Sequence, residues 1–98
     1  MMTREQAIGI VNIERAYQDR TYNPNEELSS GRTRADRDKD VTSHLVLLQI
    51  YVDKAMVDWN VAGDNRPSLK QIVKIAAIAV RALERAGGSE ALLAEGLR

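Results

Sequence analysis

Apolar residues recur at three- and four-residue intervals along three stretches of this chain, and no stretch alternates with period two. The pattern predicts helices throughout. The first runs from about Thr3 to Asp19 and opens on Thr3 and Gln6, the spacing of a capping box. Ala7, Ile10, Val11, Glu14 and Gln18 fall on one stripe, with Ile13 and Tyr17 beside it. Gly9 costs this helix ~1 kcal/mol relative to alanine. A helix this short with a glycine inside it depends on tertiary packing.

The second helix runs from about Val41 to Asn60, with Asp40 or Thr42 as its cap. Val41, Leu45, Leu48, Val52, Ala55 and Trp59 form a seam of alternating four- and three-residue steps. Val46, Leu47, Ile50 and Tyr51 lie off that seam, so the helix is apolar around most of its circumference. A surface helix carries one apolar stripe and a polar back. A chain of 98 residues with three main helices cannot surround such a helix alone, and the pattern therefore predicts self-association.

Val61 to Pro67 reads as a turn. The third helix begins at Pro67 and Ser68, where Ser68 and Gln71 again have capping-box spacing, and ends near Ala86 before Gly87-Gly88. Leu69, Ile72, Val73, Ala76, Ala79, Val80 and Leu83 make one stripe, widened by Ile75, Ala77, Ile78 and Ala82. Ser89 to Leu97 forms either a short fourth helix or a frayed end. The expected fold is all-α: one domain over residues 1–98, a small bundle of three main helices plus a short C-terminal one, completed by homo-oligomerisation.

Between Arg20 and Asp40 the periodicity disappears. Asn23-Pro24-Asn25 and Ser29-Ser30-Gly31 are turn signals, and residues 32–40 read RTRADRDKD. Two readings are open. One is a solvated, partly mobile loop; the other is a lid that orders over an anionic ligand through Arg32, Arg34 or Arg37.

Composition narrows the function mainly by exclusion. Lys+Arg and Asp+Glu are 14 each, which argues against a general DNA or RNA coat. There is no cysteine and only one histidine, His44, so thiolate chemistry and two-histidine metal sites are out. No apolar run reaches the ~18 residues of a membrane span, and the opening MMTREQ leads into no signal-peptide stretch. The expected location is cytoplasmic.

A magnesium site needs convergent carboxylates. Asp53 and Asp58 are five residues apart and diverge by roughly 140° on a helix. Glu84 sits near a helix end, and Glu26 and Glu27 lie in the loop. Ser43 and His44 are adjacent on a helix and point apart, so they form no nucleophile–base pair. No catalytic or metal-binding residue is assigned.

The polar residues set among apolar ones carry more information. His44, Leu47, Tyr51, Lys54 and Asp58 share one face of the second helix, and Lys74 interrupts IVKIAAIAV in the third. Glu14, Arg15 and Gln18 mark the first helix. One reading is internal pairing, Glu14 with Lys54 or Lys74, with lysines reaching out to solvent. The other is a pocket for an anionic, planar ligand. There Arg15 and Lys54 meet phosphate, Tyr51 or Trp59 stacks, and Gln18 and His44 hydrogen-bond, with Lys74 a further ligand-binding candidate.

Ile13-Glu14-Arg15-Ala16-Tyr17-Gln18-Asp19, then His44-Leu45 opening a long helix, then Ile72-Val73-Lys74-Ile75-Ala76-Ala77-Ile78-Ala79-Val80, resemble the small phage-associated branch of MazG-like proteins. The resemblance spans about Ile13 to Glu84. It implies an all-α bundle completed by dimers or tetramers, and hydrolysis of nucleoside triphosphates to monophosphate and pyrophosphate with magnesium. The family's E-E-x-x-E and E-x-x-D helices are not matched: the second helix reads Leu48-Gln49-Ile50-Tyr51-Val52-Asp53-Lys54-Ala55 and the third Lys74-Ile75-Ala76-Ala77. The resemblance thus implies a member without its metal site. Such a protein would bind a nucleotide or cyclic nucleotide without turnover, for instance to sequester a second messenger of host defence. Two alternatives stand beside it. One is an active MazG-like pyrophosphohydrolase, the one case in which magnesium is a cofactor. The other is a helical module that binds a protein.

Overall fold

The computed structural model describes residues 1–97, the side chain of Ala62 excepted. Thr3 starts α1 (Arg4–Thr21) through the capping box its spacing predicts, accepting from the Gln6 amide while the Gln6 side chain accepts from its own. Asp40 caps α3 (Val41–Ala62), which stops at Gly63 in the left-handed conformation at φ 62°. The expected Ser68–Gln71 box at the head of α4 (Arg66–Arg85) does not form. Asn65 holds the cap position, Pro67 lies in the first turn, and Ser68 Oγ instead donates across to the Ala55 carbonyl at 2.7 Å. Gln71 likewise donates to Asp58 at 3.1 Å. Those two residues staple α4 to α3 rather than cap it. The chain closes with a short α5 (Ala91–Glu95).

Residues 20–40 are more ordered than the loop readings suggest. Thr33 caps a short α2 (Arg34–Asp38), and Glu27 and Thr33 form an isolated antiparallel bridge. Asp38, at the end of α2, is fully buried. Among the described residues there are five helices and no strand, so the chain is a small all-α bundle.

The layering follows from α4. It packs against α1 on one side and α3 on the other, while the α1 and α3 backbones do not meet. Ala77 and Ile78, on α4, are the buried apolar residues of this layer, and Ala77 has no exposed surface. A small side chain there lets the flanking helices come close. α2 packs on α3 and α4. A groove is left above α4, between α1 and α3.

The inward face of α1 is polar, and that of α3 mixes polar with apolar residues. On α1 the buried residues are Arg15 and Gln18, while Ile10 and Ile13 point out. On α3, His44 is buried and Leu48, Tyr51, Ala55 and Asp58 are half-buried. Of the predicted seam, Val41, Leu45, Val52 and Trp59 are exposed. The result is an open layer. Its radius of gyration is 15.0 Å, against about 13 Å for a compact chain of this length. Its accessible surface is 7298 Å², where a compact monomer of 10.9 kDa would show about 5,600 Å².

Candidate functional site

A chain of ion pairs lines the inside of the layer. Asp38 gathers three guanidinium groups: Arg85 at 2.9 Å, Arg81 at 3.3 Å and Arg37 at 3.6 Å. Arg85 also reaches Asp19 at 2.9 Å, and Asp19 receives Arg15 at 2.8 Å. Arg15 in turn donates from Nε to Glu84. The network ties α1, α2 and α4 together. His44 fixes the far side of Asp38 by donating from Nε2 to its backbone carbonyl at 2.6 Å. That carbonyl only accepts, so the hydrogen is assigned to Nε2, and the buried Nδ1 is left without a partner.

Charge around Asp38 is unbalanced, with one carboxylate facing three guanidinium groups. Burial pulls the Arg81 guanidinium below its usual range. Asp38 works against that shift, and Arg85, Arg15 and Arg37 add to it. Nε of Arg37 and Nε of Arg81 are both buried and have no hydrogen-bond partner among the described residues. A buried donor left unmade costs about 1–3 kcal/mol, more on a charged group.

Both arginines open onto a cavity of about 130 Å³ in the groove above α4. Gln18 and Tyr22 line it from α1 and its C-cap, Arg34 and Arg37 from α2, Leu47 and Tyr51 from α3, and Ile78 and Arg81 from α4. A second cavity of about 130 Å³ adjoins it, sharing Gln18, Tyr22 and Tyr51 and adding Glu14, Tyr17 and Lys74. Gln18 is 6 % exposed, and its Oε1 is a buried acceptor without a partner. Arg34 lies over the Tyr22 ring, 4.9 Å from its centroid, and is held by Glu26. Each cavity alone is well below the roughly 300–1,000 Å³ of a drug-sized pocket. Joined along two tyrosines, they suit a ligand with an anionic end and a flat end.

The sequence candidates separate into three groups. Gln18, Tyr51 and Lys74 line the cavities. Lys54 is exposed and sits over the Tyr51 ring, 4.6 Å from its centroid, with Lys74 at 5.8 Å. Neither lysine pairs with Glu14, so the internal pairing considered from sequence is replaced by cation–π contacts. Arg15 and His44 lie outside the cavity walls, the first engaged by Glu84 and Asp19, the second by Asp38. Trp59 is exposed, away from both cavities.

Asp38, Arg81 and Arg85 were not singled out by sequence. Asp38 sits in a patternless charged run, and Arg81 breaks the apolar face of α4 as Lys74 does. That interruption was the available signal. Of the three arginines read as lid residues, Arg34 and Arg37 line the cavity, and Arg32 donates to the Asp36 carbonyl.

Magnesium does not fit this donor set. Among the described residues no three His, Cys, Asp or Glu side chains converge on a metal position. The one fully buried carboxylate, Asp38, already faces three arginines. No protein-family model, no curated protein and no solved structure matches this chain.

Proposed function

We propose that this protein binds a nucleotide without hydrolysing it and does so as a homo-oligomer. One observation carries the binding half. Arg37 and Arg81, each with a buried Nε that has no partner, line a cavity walled by tyrosines. A phosphoryl group there accepts from Arg37 and Arg81 and balances the excess positive charge around Asp38. Tyr22 and Tyr51 offer flat faces to a base. The crowding of Asp38 by arginines speaks against metal-assisted hydrolysis at this place. The resemblance to small MazG-like phage proteins points to the same ligand class, and from it comes the proposed role of sequestering a nucleotide second messenger.

The oligomer half rests on surface. The exposed area exceeds that of a compact monomer by roughly 1,700 Å², where one side of a standard interface takes about 800 Å². The exposed seam Leu45, Val52, Met56 and Trp59 on α3 is the candidate contact. Shallow apolar grooves lie at Met2, Ile10 and Ile13 and at Leu83, Leu92 and Leu93.

The test is a panel of linear and cyclic nucleotides, with and without magnesium, read by thermal shift and by chromatography of the products. Stabilisation without breakdown is the expected result. Breakdown products would favour the hydrolase, and neither effect would favour a protein-binding module.

A further inference from the structure

The two halves of the groove differ in chemistry. The cavity at Arg37 and Arg81 offers donors. The adjoining one offers the Glu14 carboxylate as an acceptor and the Lys74 ammonium as a donor. Glu14 is half-buried and makes no ion pair or hydrogen bond among the described residues. Lys74 lines the same cavity and likewise forms no ion pair among the described residues. A phosphate at the Arg37 end leaves this second half to the base.

We infer that the Glu14 half of the groove selects guanine, making the ligand a guanine nucleotide; this rests on the nucleotide-binding reading above. Bases are told apart by the order of donors and acceptors along their edges. Guanine presents O6, N1–H and the N2 amino group in a row, and it alone places two donors side by side. A carboxylate accepts from N1–H and N2–H together. The Lys74 ammonium matches O6. Adenine reverses both ends: its N6 amino group meets Lys74 and its N1 lone pair meets Glu14. Uracil flanks its single N–H with carbonyls that a carboxylate repels, and cytosine puts its ring acceptor where Glu14 needs a donor.

Titration calorimetry with GMP, IMP, AMP and UMP on the wild type, Glu14→Gln and Lys74→Met tests this. GMP should bind tighter than AMP by roughly 10- to 100-fold, the worth of a hydrogen-bonded charged group. IMP, which keeps O6 and N1–H but lacks the amino group, should fall between them. Glu14→Gln should bring GMP down toward the AMP level while AMP holds or tightens, and Lys74→Met should weaken GMP and IMP but not AMP. Circular dichroism confirms that both variants fold. Equal affinity of wild type for GMP and AMP, or an equal loss for both in Glu14→Gln, overturns the guanine assignment while nucleotide binding stands. Failure of all four monophosphates to bind, with no response to the linear and cyclic nucleotides of the panel above, overturns the nucleotide reading itself, and the guanine assignment with it.

Discussion

Asp38 is the residue on which the inside of this protein turns. It is fully buried and compensates three arginines drawn from α2 and α4. Removing one partner of a buried ion pair leaves the other charge uncompensated, at about 3–5 kcal/mol. Asp38→Asn, which keeps the shape and loses the charge, should therefore lower the urea midpoint by an amount of that order. Arg37 and Arg15 should behave differently from each other. Arg37 lines the cavity with an unpartnered Nε, so Arg37→Ala should weaken an anionic nucleotide about 10- to 100-fold. Arg15 lies outside the cavity and joins Asp19 and Glu84, both half-exposed. Arg15→Ala should cost about 1–2 kcal/mol of stability and leave affinity for the nucleotide within a factor of about two. Calorimetry and chemical denaturation on the same two variants check both statements.

At the scale of elements, α2 is the piece most open to acid. Its first turn is held by Thr33 and Asp36, each bonding the other. The Thr33 hydroxyl and amide hold the Asp36 carboxyl below the usual carboxylate range, with Lys39 adding to the effect. A depressed folded pKa means the contribution is complete above the ordinary aspartate value of about 3.9 and fades as pH falls through the lower folded value. Protection of the amides of residues 33–37, relative to their intrinsic exchange, should thus fall below about pH 4 in wild type, and Asp36→Asn should remove that change in protection. The same segment shows what periodicity misses. A five-residue helix is too short to display a hydrophobic stripe, and its one buried residue is an aspartate.

For the whole molecule, the apolar residues left exposed on α1 and α3 predict association. Static light scattering at micromolar concentration should give a particle of at least twice 10.9 kDa. Val52→Glu, on the exposed α3 seam and outside both cavities, should shift it toward the monomer, because a charge buried in an apolar interface is strongly unfavourable. A monomeric wild type would overturn the oligomer. Magnesium at millimolar concentration should not raise the melting temperature beyond a matched salt control, since no carboxylate set is available to bind it to the folded state.

The sequence by itself determined the three long helices. Their capping residues and stops are local, as at Thr3 with Gln6, Asp40, and the glycine after α3, and local chemistry is read without knowing what packs where. It also marked Gln18, Tyr51 and Lys74, because a polar residue in an apolar stripe is visible in one dimension. Which face of each helix turns inward was decided only by tertiary structure. The 4-3 seam of α3 satisfies the same periodicity whether it meets α4 or a second copy, and the ion pairs of Asp38 with Arg81 and Arg85 join residues 43 and 47 positions apart. Such pairs act through space and leave no trace in a one-dimensional pattern: Asp38 ties α2 to α4, Asp19 and Arg15 tie α1 to α4, and the arginines meet at the cavity.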